Sequence, residues 1–206
     1  MDSLKPHFWD KRFGTDEYIY GVQPNEYLEE KLPEFKTGSI LFPCDGEGRN
    51  SVYAAGLGWQ VDSFDMSASG KKKTMLLAEK AAVQLNYSVC MLEDFESKTQ
   101  YDAMALIYAH FPEEVRREYH QRLSQFLKPG GILILEAFSK NQQKFQQQNP
   151  NAGGPKAESM LYDLNEIKDD FKDFELIEAV EQQIVLNEGN YHSGDAMVIR
   201  LIARKA

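Results

Sequence analysis

The sequence predicts a doubly wound α/β domain with a mixed sheet, and three observations lead to this prediction. From Gly38 to about residue 137, short apolar runs alternate with longer segments of helical periodicity, a pattern typical of βαβ units. A turn with two glycines joins the first apolar run to the first helical segment, as in open α/β sheets that bind ligands. Further along, two extended runs at about 174–186 and 196–204 are joined by a short connection, so they must pair antiparallel.

The same patterns give the individual elements. Strands are predicted at about 39–44, 60–64, 88–92, 103–108 and 132–137, and helices at about 50–57, 67–85, from Pro112 onward and at 163–171. Ser67 is a good N-cap, and Pro112 stands near a first helical turn. Residues 140–158 are polar and rich in Gln, Asn, Gly and Pro, which predicts a loop.

The first 36 residues are aromatic and of mixed charge, which predicts an N-terminal cap. Short helices are expected there at about 6–13 and 24–31, separated by Gly21 and Pro24. The cap at 1–36 and a core at 37–206 are predicted to form one domain over 1–206.

The composition is that of a globular protein. The 206 residues are enough for one domain with a sizeable core, and 42% are hydrophobic and 27% charged. The two cysteines, Cys44 and Cys90, have neither a CxxC pairing nor a histidine at zinc-ligand spacing, so no disulfide framework and no metal site is predicted. The first residues lack the apolar segment of a secretory signal, and no apolar run approaches the roughly 18 residues of a membrane span. We expect a cytoplasmic protein with no membrane partner.

The turn Cys44-Asp45-Gly46-Glu47-Gly48 lies where the first predicted strand meets the first helix of the core. Glycines there let a ligand approach the backbone closely. Asp65 ends the second predicted strand, and a carboxylate in that place accepts hydrogen bonds from both hydroxyls of an adenosine ribose. The turn and Asp65 together predict a cofactor that contains a nucleoside.

Two phosphate-containing cofactor classes fit the turn poorly. A dinucleotide fingerprint has a third glycine, and Asn50 and Ser51 stand in its place. A P-loop continues as Gly-Lys-Ser/Thr, whereas this turn continues as Gly48-Arg49-Asn50. S-adenosylmethionine carries no phosphate and needs neither arrangement.

Short motifs extend over nearly the whole chain: Phe8-Trp9-Asp10-Lys11-Arg12-Phe13, Tyr20-Gly21-x-x-Pro24-Asn25, Gly46-Glu47-Gly48-Arg49-Asn50-x-x-Tyr53-x-Ala55, Phe64-Asp65-x-Ser67, Leu127-Lys128-Pro129-Gly130-Gly131, Gly153-Gly154-Pro155-Lys156 and Tyr191-His192-x-Gly194. In their order and spacing they resemble the class I S-adenosylmethionine-dependent methyltransferases, and among these the small enzymes related to tellurite-resistance and thiopurine methyltransferases. The antiparallel last strand is a hallmark of that family as well.

The resemblance implies a Rossmann-like seven-stranded mixed sheet of order 3-2-1-4-5-7-6 with an N-terminal helical cap. It implies S-adenosylmethionine as the cofactor and S-adenosylhomocysteine as the product. The residues implied for cofactor binding are Cys44, Asp45, Gly46, Gly48, Arg49 and Asn50 around the methionine part, Asp65 at the ribose, Met66, Met91 and Leu92 near the adenine, and Tyr108 in the pocket wall. Those implied for a lid are Trp9, Tyr20 and Gly21.

The resemblance further implies methyl transfer to a small molecule, with a soft nucleophile favoured, such as a thiol or a tellurite- or selenite-type oxyanion. Transfer from a sulfonium is an in-line displacement, so a general base is needed only if the acceptor arrives protonated. His110, after the fourth strand, and His192 with Tyr191, in the last hairpin, are candidates for acceptor binding or for that base. His7 and His120 are predicted to be solvated.

Two other functions stay open. Phe42 and Cys44 stand where the family has an acid and a first glycine, and Met91 stands where it has an acid near the adenine. These departures favour a non-catalytic protein that binds S-adenosylmethionine. The third candidate, a nicotinamide-dependent oxidoreductase, is disfavoured by the missing third glycine.

The net charge of -9 is concentrated in one segment. Residues 158–188 contain ten acidic and two basic residues, so the rest of the chain is nearly neutral and an anionic acceptor stays open. The one basic run, Lys71-Lys72-Lys73, is predicted to be a solvated face, so a nucleic-acid partner is not expected. The expected partner is a small-molecule acceptor, and the expected state is a monomer or a homodimer.

Overall fold

The computed structural model describes residues 4–206, so the first three residues of the predicted cap lie outside the described part. Seven strands form a mixed sheet whose order, with strands numbered along the chain, is 3-2-1-4-5-7-6. This confirms the predicted fold class and strand order. The chain divides into two compact units, of which the first ends at Lys98 and the second begins at Thr99. A single domain over 1–206 stays a prediction.

The first unit alternates helices with parallel strands. Its helices are α1 (Pro6–Phe13), α2 (Glu26–Lys31), α3 (Arg49–Gly56) and α4 (Ala68–Lys80), and its strands are β1 (Ser39–Pro43), β2 (Gln60–Asp65) and β3 (Asn86–Val89). Strand β2 pairs in parallel with β1 on one side and with β3 on the other. Ile40, Leu41 and Phe42 are all buried in β1. Their burial explains the unbroken apolar run, because helices cover both faces of a parallel sheet.

Two predicted boundaries in this unit were wrong. The helix predicted at 67–85 ends at Lys80, because Ala82 adopts a φ of 55° and the amide of Val83 donates to the Ala78 carbonyl at 3.0 Å, which closes the helix end. The strand predicted at 88–92 lies at Asn86–Val89. It ends there because its pairing partner β2 ends, with Asp65 opposite Val89.

The second unit contains the remaining strands. Its helices are α5 (Glu113–Ser124), α6 (Gln143–Gln148) and α7 (Leu164–Asp170), and its strands are β4 (Tyr101–Ile107), β5 (Leu127–Phe138), β6 (Phe174–Asn187) and β7 (Ser193–Lys205). Strands β4 and β5 are parallel, whereas β7 is antiparallel to both β5 and β6. The predicted C-terminal hairpin is therefore confirmed.

The segment predicted as a loop at 140–158 is partly helical. A 3-10 turn at Lys140–Gln142 leads into α6. The side-chain amide of Gln142 donates to the Ala152 carbonyl at 2.6 Å, and that of Gln146 donates to the Gly153 carbonyl at 2.7 Å. Side-chain amides of glutamine, not apolar side chains, hold this segment in place. The helix therefore has no apolar periodicity by which the sequence could have indicated it.

His120 is fully buried, so its prediction as a solvated residue was wrong. Its Nδ1 lies 2.9 Å from Oδ2 of Asp170, and Nε of Arg116 donates to the same oxygen at 2.7 Å. This buried ion cluster joins α5 to α7. Burial lowers the pKa of His120, although its bond to Asp170 acts in the opposite direction.

Within residues 4–206, no helix is both long enough and apolar enough to cross a membrane.

Candidate functional site

The predicted cofactor turn in the first unit has a left-handed backbone at three residues. The φ angles are 55° at Cys44, 60° at Gly46 and 83° at Gly48. Gly48 allows helix α4 to pack directly on the turn, because a Cβ at this position would lie 2.3 Å from Cγ2 of Thr74. Burial raises the pKa of the Cys44 thiol, so this side chain stays neutral.

Asp65 closes β2 and supports the turn through its carboxylate. Its Oδ2 accepts from the amide of Gly46 at 3.1 Å, and its Oδ1 accepts from the amide of Ser67 at 2.9 Å. Burial raises the pKa of Asp65 to about 6, although these backbone hydrogen bonds oppose the shift. Each carboxylate oxygen can accept two hydrogen bonds. The two oxygens of Asp65 therefore retain capacity for the hydroxyls of a ribose.

Asp45 is a second buried carboxyl in the turn. Its Oδ2 accepts a 2.5 Å hydrogen bond from the hydroxyl of Ser51 in α3. Its Oδ1 has no hydrogen-bond partner among the residues described. Burial is the main cause that raises the pKa of Asp45 to about 7. The turn and the end of β2 therefore each hold a buried carboxyl whose pKa is raised by burial, and perturbed pKa values of this kind cluster at functional sites.

Glu47 connects the turn to the N-terminal segment. The sequence did not predict this connection. Its Oε1 lies 2.7 Å from Nζ of Lys73 in a buried ion pair. Its Oε2 accepts from the amide of Ile19 at 2.8 Å, and Nζ of Lys73 also donates to the Glu17 carbonyl at 2.5 Å. The prediction of a solvated face at residues 71–73 was therefore wrong for Lys73.

The residues predicted to form a lid lie around the same turn. Trp9 stacks on Phe13, with ring centroids 5.3 Å apart, and a Cβ at Gly46 would lie 3.2 Å from the Phe13 ring. The Tyr20 hydroxyl accepts from Arg12 at 3.0 Å. Gly21 follows with a φ of 74°. Their assignment as a lid stays a prediction.

Arg49 and Asn50, predicted at the methionine part of the cofactor, bind the N-terminal segment. Nη1 of Arg49 donates to the Tyr20 carbonyl at 3.4 Å. Oδ1 of Asn50 accepts from the amide of Asn25 at 2.9 Å. Both residues are buried, so they also fix the start of α3 beside the turn.

The predicted adenine contacts follow the ends of β2 and β3. Met66 comes directly after β2 and is half-buried, and Met91 is half-buried at the start of a 3-10 turn that begins with buried Leu92. The amide of Cys90 donates to the Asp65 carbonyl at 3.1 Å, so this turn lies beside the end of β2.

Tyr87 is a further support that the sequence did not indicate. Its hydroxyl donates to the Gly46 carbonyl at 2.7 Å, from a buried position in β3. Tyr87 stands just before the strand predicted at 88–92, and no local spacing indicated that it holds the turn.

In the second unit, Tyr108 follows β4 with a φ of 53°. Its hydroxyl donates to Oε1 of Glu136 at 2.6 Å, and Nε of Arg200 donates to Oε2 of the same carboxylate at 2.5 Å. The Tyr108 ring stacks on Phe138 with a centroid distance of 4.6 Å. A strained backbone and a fixed hydroxyl at the end of a parallel strand are features of ligand sites in this class of sheet.

His110 is held through both of its ring nitrogens. Nδ1 lies 2.7 Å from the Met160 carbonyl, and Nε2 lies 3.2 Å from the amide of Phe138. A carbonyl only accepts and an amide only donates, so Nδ1 carries the proton. Burial lowers the pKa of His110 to about 4. This geometry favours a structural link between β4 and β5 over proton transfer by His110.

His192 lies buried in the hairpin between β6 and β7, whereas Tyr191 beside it is 44% exposed. Nδ1 of His192 lies 3.2 Å from Oε2 of buried Glu188. The ring meets that of Tyr108 edge to face, with centroids 4.6 Å apart. The second unit therefore brings His192 and Tyr108 together, and Glu188 joins them without having been predicted.

Comparison with known families gives one match that covers most of the chain. The sequence model of the tellurite resistance protein TehB matches residues 29–204.

Curated relatives are more distant. A ubiquinone biosynthesis O-methyltransferase of Rickettsia typhi is 22% identical over 151 residues, which are 70% of this chain and 61% of that protein. A thiopurine S-methyltransferase of Vibrio cholerae is 24% identical over 152 residues, which are 63% of this chain and 68% of that protein. The chain thus spans about three fifths to two thirds of the length of these relatives.

Solved structures share the fold. TehB from Haemophilus influenzae superimposes with a TM-score of 0.71 at 18% identity, covering 98% of this chain and 67% of that one. The magnesium protoporphyrin IX methyltransferase ChlM from Synechocystis, solved with bound S-adenosylhomocysteine, superimposes with a TM-score of 0.72 at 12% identity over both entire chains. Because the family model matches far more than half of the sequence, this chain belongs to the tellurite resistance protein TehB family and has the fold of the class I S-adenosylmethionine-dependent methyltransferases.

Proposed function

We propose that this protein transfers a methyl group from S-adenosylmethionine to a small-molecule acceptor, with a thiol or a tellurite- or selenite-type oxyanion as the favoured class. The observation that carries the proposal is the turn between β1 and α3, whose left-handed backbone lies against the carboxylate of Asp65. Family membership and the names of the relatives, which act on oxygen and on sulfur, agree with it.

The residues of the first unit suit such a cofactor. The carboxylate of Asp65 would accept from the ribose hydroxyls, and the turn at 44–48 would enclose the methionine part. Asp45 lies in the turn that would enclose the methionine part, and its Oδ1 has accepting capacity among the described residues for the ammonium of the cofactor. Bound there, the cofactor supplies an electrophilic methyl group.

The two alternatives predict different ligand responses. A non-catalytic protein would bind S-adenosylhomocysteine without methylating any acceptor, whereas an oxidoreductase would bind NAD. Asn50, which takes the place of a third glycine, is buried and bound to Asn25, so the turn offers no close glycine contact for a pyrophosphate.

Thermal unfolding separates the oxidoreductase from the two candidates that bind S-adenosylmethionine, and a methyl-transfer assay then separates those two. At about 100 times its dissociation constant, a ligand that binds the folded state adds about 2.7 kcal/mol to the free energy of unfolding. We expect S-adenosylhomocysteine to give this stabilisation and NAD to give none. Stabilisation by NAD alone would contradict the proposal.

Cofactor affinity is expected to depend on pH through Asp65. Burial raises the pKa of Asp65 to about 6 in the free protein, and ribose hydroxyls that donate to the carboxylate favour its ionised form. Binding then lowers the pKa, so affinity stays constant above about pH 6 and falls as the pH is lowered to 5. Calorimetric titration with S-adenosylhomocysteine between pH 5 and 7.5 measures this change.

Asp65→Asn is expected to weaken binding and to abolish the fall in affinity below pH 6. Asp62→Asn, on the same strand but bound to Asn86, is the matched control and should keep the wild-type profile. An unchanged affinity in Asp65→Asn would show that the ribose lies elsewhere. A change centred near pH 7 would point to Asp45 instead.

A further inference from the structure

We infer that Glu47 is a positioning residue for the cofactor, which holds the turn at 44–48 in its binding conformation before the cofactor arrives. The inference rests on the proposed function and adds to it a residue that acts through the backbone of the turn. Its basis is a buried carboxylate between two left-handed glycines, bound both to α4 and to residues 17–20 of the N-terminal segment. We call residues 17–20 the strap.

Glu47 stands between the two most flexible positions of the turn. Gly46 and Gly48 have φ angles of 60° and 83°, and glycine adopts left-handed and right-handed backbone about equally well. A turn that is free to leave this conformation must be ordered by its ligand, and such ordering weakens affinity. A side chain anchored between the two glycines removes that cost in advance.

Helix α4 supplies the first anchor. Nζ of Lys73 donates to Oε1 of Glu47 at 2.7 Å, and the pair is almost completely buried. A hydrogen bond between two charged groups is stronger than a neutral one. The next residue of α4, Thr74, packs on Gly48. Glu47 and the glycine that follows it are therefore held by the same helix.

The strap supplies the second anchor. Its backbone amides at Ile19 and Tyr20 donate to Oε2 of Glu47 at 2.8 Å and 3.4 Å. The strap is also fastened to α4, because the Tyr18 hydroxyl donates to the Lys73 carbonyl at 2.9 Å. Both carboxylate oxygens of Glu47 thus accept from groups of the protein, so Glu47 acts on the cofactor through the turn.

These contacts make the strap a fixed wall beside the turn and not a moving lid. Opening the strap would take two amides from the Glu47 carboxylate, and a buried polar group that loses its partners carries a large free-energy cost. Ile19 is itself buried. Of the residues predicted to form a lid, Tyr20 and Gly21 accordingly stay in place when the cofactor binds.

Calorimetric titration with S-adenosylhomocysteine tests the positioning role. In Glu47→Ala/Lys73→Met both anchors are lost and no buried charge of the pair is left without its partner. We expect its dissociation constant to be about tenfold higher than that of the wild type, because the ligand must then order the turn. Circular dichroism gives the folded fraction. A variant that is half folded would show a rise of only about twofold through unfolding alone, so the two effects are distinguishable.

Two further variants serve as controls. Val61 is buried near the start of β2, at the opposite end from Asp65, so Val61→Ala destabilises the fold without touching the turn. Its dissociation constant should match that of the wild type. Glu47→Gln/Lys73→Met keeps a side-chain oxygen that can accept from the amide of Ile19, so it should restore part of the affinity.

Two outcomes of the titration would overturn the inference. One is a wild-type dissociation constant in folded Glu47→Ala/Lys73→Met, and the other is an equal rise in Val61→Ala. Titration of the wild type separates the two proposals. Absent binding contradicts the proposed function, whereas intact binding together with either outcome contradicts the positioning role alone.

Hydrogen exchange tests the strap directly. The amides of Ile19 and Tyr20 should exchange slowly in the free wild type and at the same rate with S-adenosylhomocysteine present, because their acceptor on Glu47 is already in place. In Glu47→Ala/Lys73→Met both amides should exchange faster. Fast exchange in the free wild type that S-adenosylhomocysteine slows would identify a lid and contradict a fixed wall.

Discussion

Replacing Lys73 by methionine is expected to destabilise the fold by about 3–5 kcal/mol, because it leaves the buried Glu47 carboxylate without its cation. The side chains of Lys73 and Glu47 are only 9% and 3% exposed, so water does not take the place of the ammonium. The hydrogen bond from Lys73 to the Glu17 carbonyl is lost as well. Urea unfolding of the two proteins measures the difference.

The chain contains a matched ion pair for comparison. Nζ of Lys128 lies 2.7 Å from Asp102, the same distance as in the buried pair, but these side chains are 44% and 41% exposed. Lys128→Met is therefore expected to cost less than about 1 kcal/mol. The double variant Glu47→Gln/Lys73→Met should be more stable than Lys73→Met alone. If Lys73→Met and Lys128→Met lowered the free energy of unfolding equally, burial of the Glu47–Lys73 pair would not be the cause of the loss.

Gly48→Ala is expected to destabilise the protein by about 2–5 kcal/mol and to abolish binding of S-adenosylhomocysteine. The φ of 83° is unfavourable for any residue with a Cβ, and the added methyl would lie 2.3–2.6 Å from three atoms of Thr74. The turn must then move away from α4, which displaces the amide of Gly46 from Asp65. Denaturant unfolding and calorimetric titration report the two effects.

Gly130→Ala separates backbone strain from steric overlap. Gly130 has a similar φ of 78°, but no atom lies within 4 Å of the position that a Cβ would take. We expect a loss of about 1–2 kcal/mol there, which is the cost of the left-handed backbone alone. If Gly48→Ala lowered the free energy of unfolding no more than Gly130→Ala, the close packing of α4 on the turn would not explain why a glycine is needed at position 48.

Local patterns were sufficient to predict much of the first unit. Buried strands such as β1 are short apolar runs, and Ser67 caps α4 through its hydroxyl as its residue type predicts. The Glu47–Lys73 pair was not predictable in this way. Its two residues are 26 positions apart, and a lysine within a basic run has the pattern of a solvated residue.

In the second unit, too, local patterns predicted the strands but not the partners of the buried polar residues. The β6–β7 hairpin follows from two extended runs and a short connection, but the partner of His120 lies 50 residues away in Asp170. Glu188 was equally hidden, because an acid in a polar hairpin ordinarily faces water. Tertiary contacts decide which polar residues become buried. These contacts leave no periodic pattern in the sequence.

Strand β6 lies at the edge of the sheet, where a second chain could pair with it. It forms one edge of the sheet over 14 residues and exposes 48% of Ile177 and 67% of Val185. An open edge with apolar side chains is a template on which a second chain can aggregate. Glu175, Glu178 and Glu181 lie on this same strand. Two such edges laid side by side would bring these carboxylates together, so the acidic residues of β6 oppose pairing of two copies of the chain through this edge.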